Sequence, residues 1–328
     1  MRSEAEIDRI LAEQPENFEA LIHKGRLLEE ARNIRSAAAY YRNGLSVAVR
    51  AGPLSPEFRP LIDMAQAGLV KAQQAFLDYQ ERTLAEAGFP VGKRPPRFQK
   101  ALDILHQKIP ADIGIQQPTA FYFPDLPQHG FFERQDFSWV ADLEAATDDI
   151  RAELAAELAR DKDEFQPYLV SDPQQLPSGY HGMADNPDWG ALYLFQKGQR
   201  TDVADRFPKT MAAIEKADLT QIGVRAPTIM FSRLLPGARI PAHHGLINSR
   251  LICHLPLIVP PDCGFRVGDE VREWEEGKLL LFDDSVNHEA WNNSNSERII
   301  LLFDVWKPDI SADERAAIAA MFEAIDRF

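Results

Sequence analysis

FSRLLPGARIPAHHGLINSRLICHLPLIVPPDCGFRVGDEVREWEEGKLLLFDDSVNHEAWNNSNSERIILLFDVWKP, residues Phe231 to Pro308, is the stretch that decides the fold. Within it SRLICHLPLIV (Ser249 to Val259), KLLLF (Lys278 to Phe282) and RIILLFDVW (Arg298 to Trp306) are short, apolar and rich in branched side chains. Pro, Gly, Asn and Asp bound each run, so the three read as buried strands. Gly268-Asp269 inside FRVGDEVREW is a hairpin signal. Short strands joined by such turns predict a sandwich or jelly roll, in which sheets close on each other and leave few exposed edges.

Four of the eight histidines fall in this stretch: His243, His244, His254 and His288. In a jelly roll two strands distant in sequence lie side by side, so His243 and His288 can meet at one metal ion. Imidazole suits iron, zinc and copper alike, and the residue types do not choose among them.

Order and spacing add more. The pattern His243-x-Gly245, Asn248, Arg250-Leu251, His254-Leu255, WEEGK (Trp274 to Lys278), FDDS (Phe282 to Ser285), His288-Glu289-x-Trp291 and Arg298 resembles the aspartyl/asparaginyl β-hydroxylase family of iron(II)- and 2-oxoglutarate-dependent dioxygenases. The likeness extends upstream to FSxxxPG (Phe231 to Gly237), WGALYLF (Trp189 to Phe195), PKT (Pro208 to Thr210) and FYFPDLP (Phe121 to Pro127).

The resemblance implies an α+β chain: a double-stranded β-helix (jelly roll, cupin-like) catalytic domain preceded by a small α-helical, tetratricopeptide-like domain. It makes His243 and His288 the iron ligands. Gly245 stands where the common two-histidine site has its carboxylate, and the family lacks that carboxylate too. The resemblance also assigns Arg298 to the distal carboxylate of 2-oxoglutarate, where a guanidinium makes a bidentate pair. Ser232 shares that carboxylate, and His254 contacts the end that chelates iron. Ile252 departs from relatives that carry arginine two residues before His254. Arg250 shares a strand face with His254, but four strand residues span roughly 13 Å, too far for it to take over that contact. His244 reads as a solvated loop histidine; Asp283 and Asp284 are carboxylates able to orient a metal-bound water or a ligand imidazole, Asp284 ahead of Asp283, unless one of them caps the turn after KLLLF.

The 328 residues allow two domains. Residues 1–87 read as the helical tetratricopeptide-like domain, with Leu21, Gly25, Ala37 and Tyr41 at the spacing of a helix pair and a further helix from Leu61 to Leu84. Residues 88–120 form a Pro/Gly-rich linker and a short helix, and 121–328 the jelly roll with flanking helices. One helix is expected through DFSWVADLEAATDDIRAELAAELAR, with Leu143, Ile150, Leu154 and Leu158 as its core stripe. The polar Phe165 to Asp188 segment, containing His181, is the place for a substrate-covering lid. The chain closes on a helix opened by a capping box, Ser311 with Glu314.

Fifty acidic against thirty-six basic residues, a net charge of −14, predict no basic surface for nucleic acid. No apolar run is long enough to span a membrane, and two cysteines without metal spacing fit a reducing compartment, so a cytoplasmic protein is expected. The expected substrate is an Asp or Asn side chain in a peptide, a free amino-acid derivative or related small molecule, or a hydroxyacyl chain of a lipid, with nothing in the sequence deciding among them, and the helical domain is a place for a protein partner. Two other readings stand beside hydroxylation. Gly245 would also suit an iron-dependent halogenase, and a non-catalytic cupin-like scaffold would keep the helical domain as its binding part. The presence of both histidines with Ser232 and Arg298 speaks against the scaffold.

Overall fold

The computed structural model describes residues 3–170 and 183–328. The chain divides into two compact units, Met1–Gly92 with Ala324–Phe328, and Lys93–Glu323. Among the described residues no helix is long and apolar enough to cross a membrane.

The first unit is helical: α1 (Glu4–Glu13), α2 (Phe18–Glu30), α3 (Ile34–Arg50) and α4 (Arg59–Glu86). Asn17 and Asn33 cap α2 and α3, their side-chain oxygens accepting from Ala20 N and Ser36 N and so satisfying amides that the first turn leaves open. Tyr41 is the wedge between helices. Its ring is buried, its hydroxyl donates to Glu29 at 2.7 Å, and a Cβ on Gly25 of α2 or Gly68 of α4 would strike the ring. Glycine at those two positions is what lets three helices approach one aromatic side chain.

The second unit holds the strands. After α5 (Pro96–Leu105) come β1 (Phe131–Phe132), α6 (Val140–Ala145), α7 (Thr147–Leu158), β2 (Gln166–Pro167), β3 (Trp189–Gln196), β4 (Gln199–Arg200) and α8 (Pro208–Ile214). Then follow β5 (Ile229–Leu234), β6 (Arg239–His243), β7 (Arg250–Ile258), β8 (Cys263–Val267), β9 (Glu270–Arg272), β10 (Leu280–Phe282), β11 (His288–Asn292), β12 (Arg298–Trp306) and α9 (Ala312–Arg327). The larger sheet runs β1-β10-β7-β12-β5-β3-β2, with β4 on β3, and the smaller runs β6-β11-β8-β9. All these pairings are antiparallel. Two antiparallel sheets of this order make the second unit a jelly roll, and the helices before it complete an α+β chain. Gly268, at φ 60°, takes the left-handed position of the two-residue hairpin between β8 and β9.

β12 reads as a continuous apolar run because both its faces are covered. Its alternate residues Ile299, Leu301, Phe303 and Val305 are buried in a cluster that includes Leu143, Ile150 and Leu154 of the helices, Phe231 of β5 and Leu255 of β7. The opposite face carries Arg298, Ile300 and Leu302, which line the barrel interior. A second cluster, with Leu234, Ile240, Ile252, Phe265, Phe282 and Ala290, brings together residues of both sheets.

The helix expected from Asp136 to Arg160 is two. α6 ends at Ala145, and Thr147, which opens α7, donates its hydroxyl to Glu144 O at 2.6 Å, a local bond that competes with the continuous helical ladder. Leu158, expected in the core stripe, is 37 % exposed at the last turn of α7. At α9 the capping box forms: Ser311 N and Oγ both donate to Glu314, whose carboxylate also receives Arg97.

Candidate functional site

β6 and β11 pair so that His243 stands opposite His288, their ring centroids 4.1 Å apart. Two imidazoles separated by 45 residues are therefore neighbours because of main-chain register. Each ring is oriented by the carbonyl two residues before it. His243 Nδ1 lies 2.7 Å from Pro241 O, and His288 Nδ1 lies 2.9 Å from Val286 O. A carbonyl only accepts, so Nδ1 carries the proton in both and Nε2 keeps its lone pair. Burial, then the neighbouring His243, lowers the His288 pKa to about 3, so that ring is neutral at ordinary pH.

Gly245 has a second property that the sequence does not reveal. A Cβ built on it would overlap the Asp284 carboxylate, and its N–H donates to Asp284 O at 2.6 Å. The acid absent at position 245 is thus replaced in space by an acid from the loop before β11. Burial pushes the Asp284 carboxyl up to about 6 against the pull of Arg250. One oxygen, Oδ2, lies 3.4 Å from Arg250 Nη2, and the other, Oδ1, has no hydrogen-bond partner among the described residues.

Arg250 is held inside the protein. It faces Asp284 and also Asp304, at 3.6 Å. Asp283 caps its turn by accepting from Ser285 N and Oγ, and it carries a second load, an ion pair at 2.5 Å with Lys307, both side chains fully buried. His244, expected to be solvated, is half-buried and tied at both nitrogens, to Ser285 O at 3.0 Å and to Asn287 Nδ2 at 3.3 Å.

On the larger sheet Arg298 opens β12 opposite Leu234, and Ser232 pairs with Ile300 one step along. The Arg298 guanidinium is 1 % exposed, and its Nε and Nη2 have no partner among the described residues. Burial lowers its pKa to about 10, which still leaves it charged at neutral pH. A buried, charged and unpaired fork is costly, and its presence points to an anion as its partner. Ser232 Oγ accepts from Trp189 Nε1 at 3.2 Å, so its own proton is free to be donated. His254 sits opposite Leu302, and its Nδ1 is likewise without a partner. Burial first, and then Arg298, keep its pKa well below the usual range.

These side chains open on one cavity of about 470 Å³, a size suited to a small ligand. Ile240, Ile252, Ile300 and Leu302 form its aliphatic wall. Of the segment expected to cover it, residues 171–182, with His181, lie outside the described residues. The part before them supplies Tyr168, stacked on Trp189 at 4.1 Å, and Leu169 and Val170 in the cavity lining. Trp189 and Trp274 lie in motifs that carry the family pattern, yet composition and spacing gave no role to either. Their significance comes from cross-strand and ring contacts.

Two antiparallel sheets closed around paired imidazoles and a buried guanidinium define a jelly-roll domain with a ligand-sized interior. Residues 144–308 match the family model described as aspartyl/asparaginyl beta-hydroxylase, half of the chain, and the chain belongs to that family. It is 34% identical over 233 residues to the ornithine lipid ester-linked acyl 2-hydroxylase of Rhizobium tropici, covering 70% of this chain and 76% of that protein. It is 38% identical over 141 residues to the aspartyl/asparaginyl beta-hydroxylase of Mus musculus, covering 42% of this chain and 19% of the relative. The match to the Xenopus tropicalis aspartate beta-hydroxylase domain-containing protein 2 is 32% over 216 residues, 64% of this chain and 55% of that one. Among solved structures a Pseudomonas putida prolyl-4-hydroxylase aligns over 52% of this chain and 99% of its own, with TM-score 0.31 and 16% identity. The chain spans only about a fifth of the length of the mouse relative and about half that of the frog one.

Proposed function

We propose that the chain is an iron(II)- and 2-oxoglutarate-dependent dioxygenase that hydroxylates an unactivated C–H bond. The observation that carries this reading is the pairing of two Nε2 lone pairs, on His243 and His288, with the unpartnered guanidinium of Arg298 in the same cavity. The donor set fits both groups: neutral imidazoles suit iron, and a buried fork suits a dicarboxylate. His243 and His288 would hold the metal, Arg298 and Ser232 the distal carboxylate of the cosubstrate, and His254 its chelating end. Bound together, iron(II) and 2-oxoglutarate would supply dioxygen activation coupled to oxidative decarboxylation, one oxygen atom passing to succinate and the other to the substrate carbon.

The protein's own contribution is placement. The carbonyls of Pro241 and Val286 fix the two imidazoles in one tautomer. Asp284 Oδ1, free of partners among the described residues and beside Gly245, would accept a proton from a water held by such a metal. The aliphatic wall keeps bulk water from the reacting carbon. Asp284 would also favour hydroxylation over halogenation, since a halide entering beside Gly245 would meet a carboxylate.

The substrate is an Asp or Asn residue of a peptide or a related small molecule; the activities for which relatives are named include both aspartyl/asparaginyl and lipid acyl hydroxylation. The helical first unit, tetratricopeptide-like in its residue spacing, is the place for a protein partner. Cys253 and Cys263, buried and free, suit a cytoplasmic setting. Anaerobic titration of the full chain with iron(II) and then 2-oxoglutarate tests the core of this reading. A weak visible metal-to-ligand charge-transfer band, saturating at one cosubstrate per chain, is expected. Its absence with iron bound would overturn the assignment.

A further inference from the structure

Trp274 carries a buried polar hydrogen that no described residue receives. The residue lies just beyond β9, is 6 % exposed, and its Nε1 has no hydrogen-bond partner among the described residues. Buried indole N–H groups are ordinarily paired, because leaving one unpaired forfeits its hydration without return. The ring is held firmly. It stacks on Phe265 of β8 with centroids 5.4 Å apart and planes 20° from parallel, and it sits 6.0 Å from the His254 ring. Its face also backs Arg298, whose guanidinium carbon is 4.9 Å from the ring centroid. Trp274, Arg298, His254 and Ser232 all line the same cavity.

Three orphaned polar groups, Arg298 Nε and Nη2, His254 Nδ1 and Trp274 Nε1, therefore come from three separate chain segments to one end of one cavity. A solvent-filled surface does not explain them, since all are buried. An anionic ligand does. A carboxylate offers about four lone-pair directions. The guanidinium fork takes two and the Ser232 hydroxyl a third, which leaves one for a further donor. Trp274 also shapes the fork itself, because an aromatic face behind a guanidinium fixes its plane and favours its charge.

We propose that Trp274 is a further cosubstrate-binding residue, its ring face holding the Arg298 guanidinium and its Nε1–H donating to the distal carboxylate that Arg298 receives. This rests on the 2-oxoglutarate reading above, and it adds to that reading a residue and an atom. The WEEGK motif then has a physical purpose, since the turn after β9 delivers an indole to the cosubstrate end of the barrel.

The test is equilibrium binding to the full chain loaded with zinc, which is diamagnetic and does not turn over. Calorimetry compares 2-oxoglutarate with 2-oxopentanoate, which has the same carbon chain with a methyl in place of the distal carboxylate. Trp274→Phe keeps the ring and removes the N–H. It should weaken 2-oxoglutarate binding about tenfold, the value of one hydrogen bond to a charged group, and leave 2-oxopentanoate binding unchanged. Trp274→Leu removes the ring face as well and should weaken 2-oxoglutarate binding further. A second measurement needs no variant. Among the indole N–H resonances of the five tryptophans, that of Trp274, assigned by its contacts to the Phe265 ring, should move downfield with 2-oxoglutarate and stay in place with 2-oxopentanoate. Equal weakening of both ligands, or an unmoved resonance while the wild type binds 2-oxoglutarate, overturns the Trp274 assignment alone. A wild type that binds zinc but no 2-oxoglutarate overturns the cosubstrate reading and the Trp274 assignment together.

Discussion

Replacing Arg298 by Met should make the empty protein more stable while weakening its hold on 2-oxoglutarate. Burial lowers the guanidinium pKa from its ordinary value to about 10, and each unit corresponds to about 1.4 kcal/mol, so the buried charge costs roughly 3 kcal/mol. The unfolded chain binds more protons than the folded one between these two values. Stability from this group therefore rises with pH across that window, and the whole cost is present at every pH below about 10. Met has a similar volume and no charge to desolvate. Against the relief stands the lost contact with the Trp274 ring, worth about 0.5–2 kcal/mol. The net expectation is a gain of about 1–2 kcal/mol in urea unfolding of the metal-free, cosubstrate-free protein at neutral pH. With metal and 2-oxoglutarate at a hundred times the wild-type Kd, the wild type gains about 2.7 kcal/mol and a variant binding ten- to a hundredfold more weakly gains about 0.4–1.4 kcal/mol, so the variant's lead is cancelled or reversed. Cosubstrate affinity itself should fall roughly ten- to a hundredfold with metal content unchanged. A Met variant less stable than the wild type when empty, or one that binds 2-oxoglutarate within twofold of it, would refute the claim that Arg298 is an unpaired anion receptor.

Three shorter expectations accompany it. His243→Ala and His288→Ala should each abolish iron-dependent turnover of 2-oxoglutarate, whereas His244→Ala, which only loosens the Ser285–Asn287 loop, should retain measurable turnover; equal loss in all three would mean that the ligands are wrongly assigned. Gly245→Asp should lose metal and about 1–3 kcal/mol of stability by overlap with Asp284, and Gly245→Asp with Asp284→Ala should bind iron again; a single variant that binds iron as the wild type does would contradict the described approach of the two residues. A fragment beginning at Lys93 should bind iron and decarboxylate 2-oxoglutarate without substrate while losing turnover of a peptide substrate; loss of metal or solubility would show that the barrel depends on the helical unit.

Much of the barrel was legible because its strands satisfy two rules at once. The runs that became β7, β10 and β12 are apolar, branched and bounded by turn residues, and Gly268-Asp269 marks a hairpin that the structure contains. The hairpin residues act locally, so a short window suffices to read them. What escaped depends on contacts between distant segments. Gly245 and Asp284 meet only because two loops at the barrel rim fold together, and no spacing in the chain announces it. Trp189 reaches Ser232 through the pairing of β3 with β5, where Ala191 stands opposite Ser232. His244 looked like a surface residue because a lone polar side chain in a Gly-bearing loop ordinarily is one; its two hydrogen bonds come from Ser285 and Asn287, some forty positions later. The break between α6 and α7 turns on a single hydroxyl, Thr147, against a helical pattern that otherwise runs straight through it.

The register that sets His243 opposite His288 also says when a metal can arrive. The two residues are brought together by a ladder that closes across the intervening β7, β8, β9 and β10, so this pair is not a local chelate that could capture an ion during synthesis. The barrel must close first. Nothing in that closure waits for the ion, since each ring already has its carbonyl partner and the clusters on either side are apolar. Unlike a zinc finger, whose folding energy is its metal affinity, a barrel that held its metal on this pair would be one that can be emptied and refilled, and a chelator should strip it to a folded apoprotein. Supply of the metal, rather than survival of the fold, would then set how much of the protein is active at any moment.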